Sequence, residues 1–85
     1  MSTITTSAEI SDWIVGRIVF YGKVAEGSFT VDTPLSDVGL DSIYALSLCA
    51  DIEDLYGLEV EPEIFEEFPT IQQLADGLAA RLQTR

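Results

Sequence analysis

Apolar residues recur along most of the chain at intervals of three and four, and this spacing predicts an all-α fold. Thr6 and Glu9 fit a capping box, so a first helix is expected from about Ser7 to Tyr21. Its apolar positions are Ile10, Trp13, Ile14, Ile18 and Tyr21. Gly22 is expected to end this helix. A long loop should follow, held against the core by the apolar residues Phe29, Val31 and Leu35.

The second helix is predicted to begin at the Asp41–Ser42 pair, whose side chains can cap free N–H groups, and to end at Gly57. Its predicted core positions are Ala45, Leu48, Cys49, Ile52, Leu55 and Tyr56. The same spacing turns another set away from the core, namely Ser42, Ile43, Ser47, Ala50 and Asp54. Ile43 and Leu46 could also lie at the edge of the core. An apolar residue on such a polar face indicates a partner.

A short third helix is predicted to start at Glu61–Pro62 and to stop at Pro69. Its inward residues are expected to be Ile64, Phe65 and Phe68. Thr70 and Gln73 form a second capping box for a last helix that ends near Arg81. The core stripe of this helix is Ile71, Leu74, Ala75, Leu78 and Leu82, and Gly77 within it indicates a close helix crossing.

These elements together predict a four-helix bundle with three longer helices, one short third helix and a long loop after helix one. A chain of 85 residues that is 47% hydrophobic fits one domain, with its core between about residue 7 and residue 82. The longest apolar runs are far shorter than the roughly 20 residues that span a bilayer. We therefore expect a cytoplasmic monomer that does not use a membrane.

The charge is strongly unbalanced, because 15 acidic residues face four basic ones and the net charge is -11. Nucleic-acid binding is therefore not expected. No basic residue occurs between Val24 and Ala80, so the middle of the chain must present a negative surface. That surface either only keeps the protein soluble or attracts enzymes with basic patches.

The residue types exclude most catalytic sites. The chain has no histidine, so Ser-His-Asp and Cys-His pairs and histidine metal ligands are impossible. An EF-hand from Asp51 fails, because Tyr56 and Pro62 stand where the loop requires glycine and glutamate, and no metal site is expected. Cys49 is expected to be a buried small hydrophobe. Ser42 therefore suits modification by another enzyme better than catalysis.

The string from Leu35 to Ile43, Leu-Ser-Asp-Val-Gly-Leu-Asp-Ser-Ile, resembles the phosphopantetheine attachment motif of acyl carrier proteins. Isoleucine replaces the usual final leucine. The similarity continues through Leu48, Glu53 and residues 57–60, and then through residues 68–71, Leu74 and Ala75.

This resemblance implies that a phosphopantetheinyl transferase attaches 4'-phosphopantetheine covalently to Ser42, and that the thiol of this arm holds acyl groups. Asp41 matches the motif aspartate that helps the transferase bind. The further partners implied are an acyltransferase, a ketosynthase and other pathway enzymes. From helix geometry, the candidate docking residues are Ile43, Leu46, Ser47, Ala50, Asp54, Glu61 and Glu63.

Three details bear on the pathway. Many fatty-acid carriers have acids two and five places after the modified serine, where this chain has Tyr44 and Ser47. The string Phe68-Pro69-Thr70 looks more like polyketide carrier domains. Peptidyl carriers typically show Gly-Gly-His-Ser where Gly39 to Ser42 stand here, which disfavours an aminoacyl cargo. We therefore predict a free-standing polyketide carrier. The alternatives are a fatty-acid carrier, an aminoacyl carrier and an acidic interaction module in which Ser42 is only a helix cap.

Overall fold

The computed structural model describes residues 6–22, 24–25, 27–40 and 42–84. These residues form four α-helices: α1 (Ser7–Phe20), α2 (Ser42–Tyr56), α3 (Ile64–Glu67) and α4 (Ile71–Thr84). A short 3₁₀ helix, Leu35–Val38, lies in the long segment between α1 and α2. The predicted bundle of three longer helices and one short one is confirmed. The 3₁₀ helix was not predicted. None of the helices in this part of the chain is long and apolar enough to cross a membrane.

Helix α1 begins as its capping residues predict. The Glu9 N–H donates to Thr6 Oγ1 at 3.2 Å, which satisfies one of the free donors at the helix start. Ile10, Ile14 and Ile18 are buried on one side of the helix. The other two apolar positions, Trp13 and Tyr21, are half-buried and pack on the edge of the core. Helix α1 therefore buries a narrow isoleucine stripe and keeps two aromatic residues beside it.

Helix α2 ends at Tyr56, because Gly57 follows with a φ of 70° that only glycine adopts readily. Ala45, Leu48, Cys49 and Ile52 are buried as predicted. The prediction for Leu55 was wrong, because its side chain is 54% exposed. Leu55 lies in the last turn of α2, one residue before the helix ends. The side chain of Tyr56 packs inward against the core.

Two predicted boundaries in the second half were also wrong. Helix α3 begins at Ile64 rather than at Glu61–Pro62. Pro62 lies in a turn, where the Ile64 N–H donates to the Glu61 carbonyl at 2.9 Å and the Phe65 N–H to the Pro62 carbonyl at 3.1 Å. Helix α4 continues to Thr84 instead of ending near Arg81. No glycine or proline follows Arg81, and Leu82 packs on the core one residue later.

The core lies between the helices, and α1 and α4 pack directly against each other. Its α4 contribution consists of Ile71, Leu74, Ala75, Leu78 and Ala79. A close contact also exists at Gly77, but its partner is not the crossing helix that was predicted. A Cβ atom there would lie 2.7 Å from Cζ of Phe68, so the glycine leaves room for that aromatic ring.

The segment after α1 is held against the start of α4 by backbone hydrogen bonds. The Gln72 N–H donates to the Val31 carbonyl at 2.9 Å, and Pro34 and Thr70 form an isolated antiparallel bridge. Leu35 is buried, while Phe29 and Val31 are half-buried and pack on the core, as predicted. This long segment is therefore a packed part of the bundle.

Candidate functional site

The chain reaches α2 through a firmly anchored turn. Leu35 and Val38, at the two ends of the 3₁₀ helix, are only 3% and 2% exposed. Gly39 then adopts a left-handed conformation with φ 78° and ψ 22°, which glycine takes up without steric cost and which ends the 3₁₀ helix. Half-buried Leu40 packs against the core on the far side of this turn. The apolar residues of the motif therefore fix the place at which α2 begins.

Ser42 is the first residue of α2 and is exposed. The first N–H groups of a helix have no intrahelical acceptor, and the helix dipole favours negative charge at this end. A 15-residue helix that presents an exposed hydroxyl here suits a phosphodiester linkage. The site thus fits attachment of phosphopantetheine. Asp41, the predicted transferase-recognition residue, lies outside the described residues.

Five of the candidate docking residues share the outer face of α2, which we define as Ile43, Leu46, Ser47, Ala50 and Asp54. All five are exposed. Ile43 is 71% exposed and Leu46 is 58% exposed, so both point to solvent rather than lying at the edge of the core. Exposed large apolar side chains of this kind are typical of protein-binding surfaces. The outer face therefore offers apolar residues towards the N-terminus of α2 and a carboxylate, Asp54, towards its C-terminus.

Glu61 and Glu63 are exposed in the connection after α2. They line a shallow groove of about 260 Å³ that also includes Arg81 of α4. Burial and, secondly, the negative charge of Glu63 raise the pKa of the Cys49 thiol. Cys49 itself is 7% exposed, so its predicted burial is confirmed. Acidic residues of the connection after α2 therefore line the same groove as a basic residue of α4.

A set of polar contacts joins α1 and α2 that the sequence did not predict. Both Nη2 and Nε of Arg17 contact Oδ2 of Asp51, at 2.8 and 3.0 Å, and the Tyr21 hydroxyl donates to the same oxygen at 2.8 Å. Burial together with the negatively charged Asp51 raises the pKa of Tyr21 to about 12, although the charge of Arg17 acts in the opposite direction. One carboxylate oxygen thus accepts three donors from α1 and its capping residue.

Aromatic contacts flank this ion pair on both sides. The rings of Trp13 and Tyr56 meet edge to face at 5.4 Å, and those of Tyr21 and Tyr44 lie 5.2 Å apart. We call these two ring pairs and the Arg17–Asp51 pair the contact series. Its order shows that α1 and α2 run antiparallel. The only sequence signal was the four-residue spacing of Trp13, Arg17 and Tyr21, which places them on one side of α1.

Comparison with known proteins agrees with this geometry. The family model described as the phosphopantetheine attachment site matches residues 22–78, which include Ser42. The chain therefore belongs to the phosphopantetheine-attachment family of carrier proteins. Members of this family carry 4'-phosphopantetheine covalently on a serine.

One curated relative and two solved structures are similar to nearly the whole chain. The polyketide synthase PksL of Bacillus subtilis is 30% identical over 80 residues, which make up 94% of this chain but only 2% of PksL. A crystal structure of a free-standing peptidyl carrier protein from Acinetobacter baumannii superposes with a TM-score of 0.84 and 37% identity, covering 92% of this chain and 98% of that one. The solution structure of the acyl carrier protein LipD from Actinoplanes friuliensis gives a TM-score of 0.72 and 31% identity, covering 100% of this chain and 98% of that one.

Proposed function

We propose that this chain is an acyl carrier protein that bears 4'-phosphopantetheine on Ser42 and presents acyl groups to polyketide biosynthetic enzymes. The observation that carries the proposal is the exposed position of Ser42 as the first residue of α2, within the segment that matches the family model. When bound, the arm supplies a terminal thiol on which acyl groups are held as thioesters. The chain's own residues then have to hold the attachment point, leave it accessible and present it to partners.

Each of these tasks has a structural basis. Leu35 and Val38 anchor the turn, and the start of α2 stabilises the negative phosphodiester through its free N–H groups and dipole. We assign recognition by the phosphopantetheinyl transferase to Asp41 together with the outer face of α2. The acyltransferase and ketosynthase would use the same face, with Glu61 and Glu63 adding negative charge at its side. Since the chain lacks histidine, we assign all bond-making chemistry to these partners.

Intact mass spectrometry tests the attachment site directly. The unmodified protein is incubated with coenzyme A and a promiscuous phosphopantetheinyl transferase. Wild type should gain one phosphopantetheinyl group and Ser42→Ala none. Ser36→Ala is a matched control, because it removes an exposed hydroxyl outside the outer face of α2 and should still be modified. A wild-type chain that gains no mass would falsify the proposal.

The polyketide assignment rests on different observations. The similarity to PksL supports it. The likeness to the acyl carrier LipD supports an acyl cargo without indicating the pathway. Tyr44 and Ser47, which replace the acids typical of fatty-acid carriers, also favour the polyketide assignment over fatty-acid synthesis. Malonyl transfer from malonyl-coenzyme A by a polyketide-type acyltransferase to the modified protein is the expected result.

A second candidate is a carrier for amino acids. It is favoured by the 37% identity to the peptidyl carrier from Acinetobacter baumannii. One loading experiment on the modified protein distinguishes an aminoacyl cargo from a polyketide one. If an adenylation enzyme encoded beside the gene loads an amino acid while malonyl transfer fails, the aminoacyl assignment replaces the polyketide one.

We also infer that residues from about 7 to 82 form a single carrier domain that acts as a cytoplasmic monomer without membrane or nucleic-acid partners. The packing of α1 against α4 supports one folding unit, because it joins the two ends of that range. The net charge of -11 disfavours self-association and nucleic-acid binding. Sedimentation of the purified protein at low and physiological salt tests its oligomeric state. A dimer in both conditions would contradict the monomer.

A further inference from the structure

We propose that Arg17 is a positioning residue for the modification site. Through Asp51 it fixes the register of α2 against α1, and so fixes where Ser42 and the outer face of α2 meet a partner enzyme. The inference rests on the proposed attachment at Ser42. It concerns a residue of α1, whereas Ser42 is the first residue of α2.

The contact between Arg17 and Asp51 is directional. Oδ2 of Asp51 accepts from Nη2 and Nε of Arg17 and from the Tyr21 hydroxyl, all within 3.0 Å. Hydrogen bonds weaken steeply with distance and angle, and one residue of helix rise is about 1.5 Å. Sliding α2 by a single residue would therefore break the set. The isoleucine and leucine contacts of the core are non-directional, so the hydrogen bonds add a directional constraint on the register that the core contacts do not supply.

The Arg17–Asp51 pair lies in a partly buried environment. The side chains of Arg17 and Asp51 are 30% and 27% exposed, so the pair is less screened than a fully exposed one. The Arg17 guanidinium also lies 4.6 Å from the centre of the Phe20 ring, which limits the positions that the guanidinium can take. A pair that is confined in this way fixes the distance between α1 and α2 and the position of one helix along the axis of the other.

Tyr21 connects the Arg17–Asp51 pair to the start of α2. Tyr21, which donates to Asp51, stacks its ring beside that of Tyr44, two residues after Ser42. Tyr44 therefore turns towards α1 and away from the outer face. The contact series runs from the C-terminal end of α2 to its first turn. A shift of α2 at Asp51 would therefore also move the turn that carries Ser42. Asp51 is also neutralised by Arg17, which leaves Asp54 as the carboxylate of the outer face.

The experiment measures KM and kcat of the phosphopantetheinyl transferase for purified unmodified variants. Asp51→Asn keeps the side-chain shape but removes the charge. We expect it to raise KM by roughly threefold or more with little change in kcat, because the reactive hydroxyl is intact and only its presentation changes. Glu53→Gln is the matched control, since it removes the same charge from an exposed position of the same helix. It should leave KM near the wild-type value.

A double-mutant cycle separates positioning from general destabilisation. If Arg17 acts through Asp51, Arg17→Met and Asp51→Asn raise KM by similar factors, and the double variant is no worse than either single one. Additive effects would overturn the inference, as would equal KM values for Asp51→Asn and Glu53→Gln. Circular dichroism checks that each variant is helical.

If Asp51→Asn fails to fold, Tyr21→Phe replaces it, because this change removes one hydrogen bond and keeps the ion pair. A rise in KM smaller than that of Arg17→Met supports the positioning role, and an unchanged KM contradicts it. The two proposals fail in different ways. A wild-type chain that is never modified overturns the attachment proposal and this inference with it, whereas normal modification with unchanged KM in the variants overturns this inference alone.

Discussion

The backbone N–H of Leu35 donates a hydrogen bond of 2.8 Å to the carbonyl oxygen of Pro69. This bond joins the segment that leads into α2 to the segment that leads into α4. The bridge between Pro34 and Thr70 lies directly beside it. The two strings that carry the family resemblance, one before Ser42 and one around Pro69, are therefore in contact. The attachment site is thereby fastened to the helix that packs against α1.

Truncating Leu35 should destabilise the fold and not only the local turn. Because the side chain is 3% exposed, Leu35→Ala leaves a cavity beside the core. We expect it to lower the free energy of unfolding by about 2–5 kcal/mol. Urea unfolding followed by circular dichroism gives the value. Ser36→Ala, at an exposed neighbour, should change it by less than about 0.5 kcal/mol. Equal effects of the two substitutions would show that Leu35 does not anchor the turn.

Two glycines should respond in opposite directions to the same substitution. At Gly39 the φ of 78° makes a Cβ unfavourable, so Gly39→Ala should cost about 1–2 kcal/mol. At Gly16, inside α1, a Cβ would meet nothing within 4 Å. Gly16→Ala should therefore stabilise the protein by up to about 1 kcal/mol, through helix propensity. Urea unfolding of both variants measures the difference. A stabilising Gly39→Ala would contradict the left-handed turn before Ser42.

Much of the helical framework could be predicted because its signals are local. The Thr6–Glu9 cap and the stop at Gly57 each act within a few residues, and the structure confirms both. The third helix was placed too early, because Pro62 is equally suited to the first turn of a helix and to the preceding turn in which it lies. The 3₁₀ helix was missed because its four residues are too few for a periodic pattern.

The contacts between α1 and α2 could not be predicted from local signals. Arg17 and Asp51 are 34 positions apart, and nothing near either residue indicates which acid the arginine will bind. Leu55 was misplaced for a related reason, since its spacing fits the core stripe and only tertiary packing decides which residues of that stripe are covered. The position of Ser42 was predictable because the motif around it is continuous in sequence.

Protein stability should fall at high pH through Tyr21. Its pKa is raised from 10.0 to about 12, first by burial and then by the hydrogen bond to Asp51. A group with a raised pKa in the folded state contributes its stabilisation fully below its unfolded value and loses it as pH rises through the folded value. The loss should therefore occur between pH 10 and about pH 12. Unfolding midpoints measured across that range should fall less steeply for Tyr21→Phe than for wild type. Identical slopes would contradict the raised pKa of Tyr21.

The Cys49 thiol should react slowly in the folded, unmodified protein. Burial first, and then the charge of Glu63, raise its pKa, so little of the reactive thiolate is present near neutral pH. Iodoacetamide labelling followed by intact mass should be much faster in urea than in buffer. Glu63→Gln should speed labelling of the folded protein, whereas Glu61→Gln should change it less. If both substitutions have the same effect, the charge of Glu63 is not what slows the reaction of Cys49.

The outer face of α2 should matter for partner enzymes and not for stability. Leu46 is 58% exposed, so Leu46→Ala should change the free energy of unfolding by less than about 0.5 kcal/mol. In acyl loading of the modified protein, the same variant should raise KM by about five- to tenfold, as expected for a central apolar contact residue. Asp54→Lys should also raise KM. Its effect should shrink at high salt, because exposed charges are screened over about 8 Å at physiological ionic strength. Gln73→Ala, an exposed change on α4, is the control. If it raises KM as much as Leu46→Ala does, partners do not single out the outer face of α2.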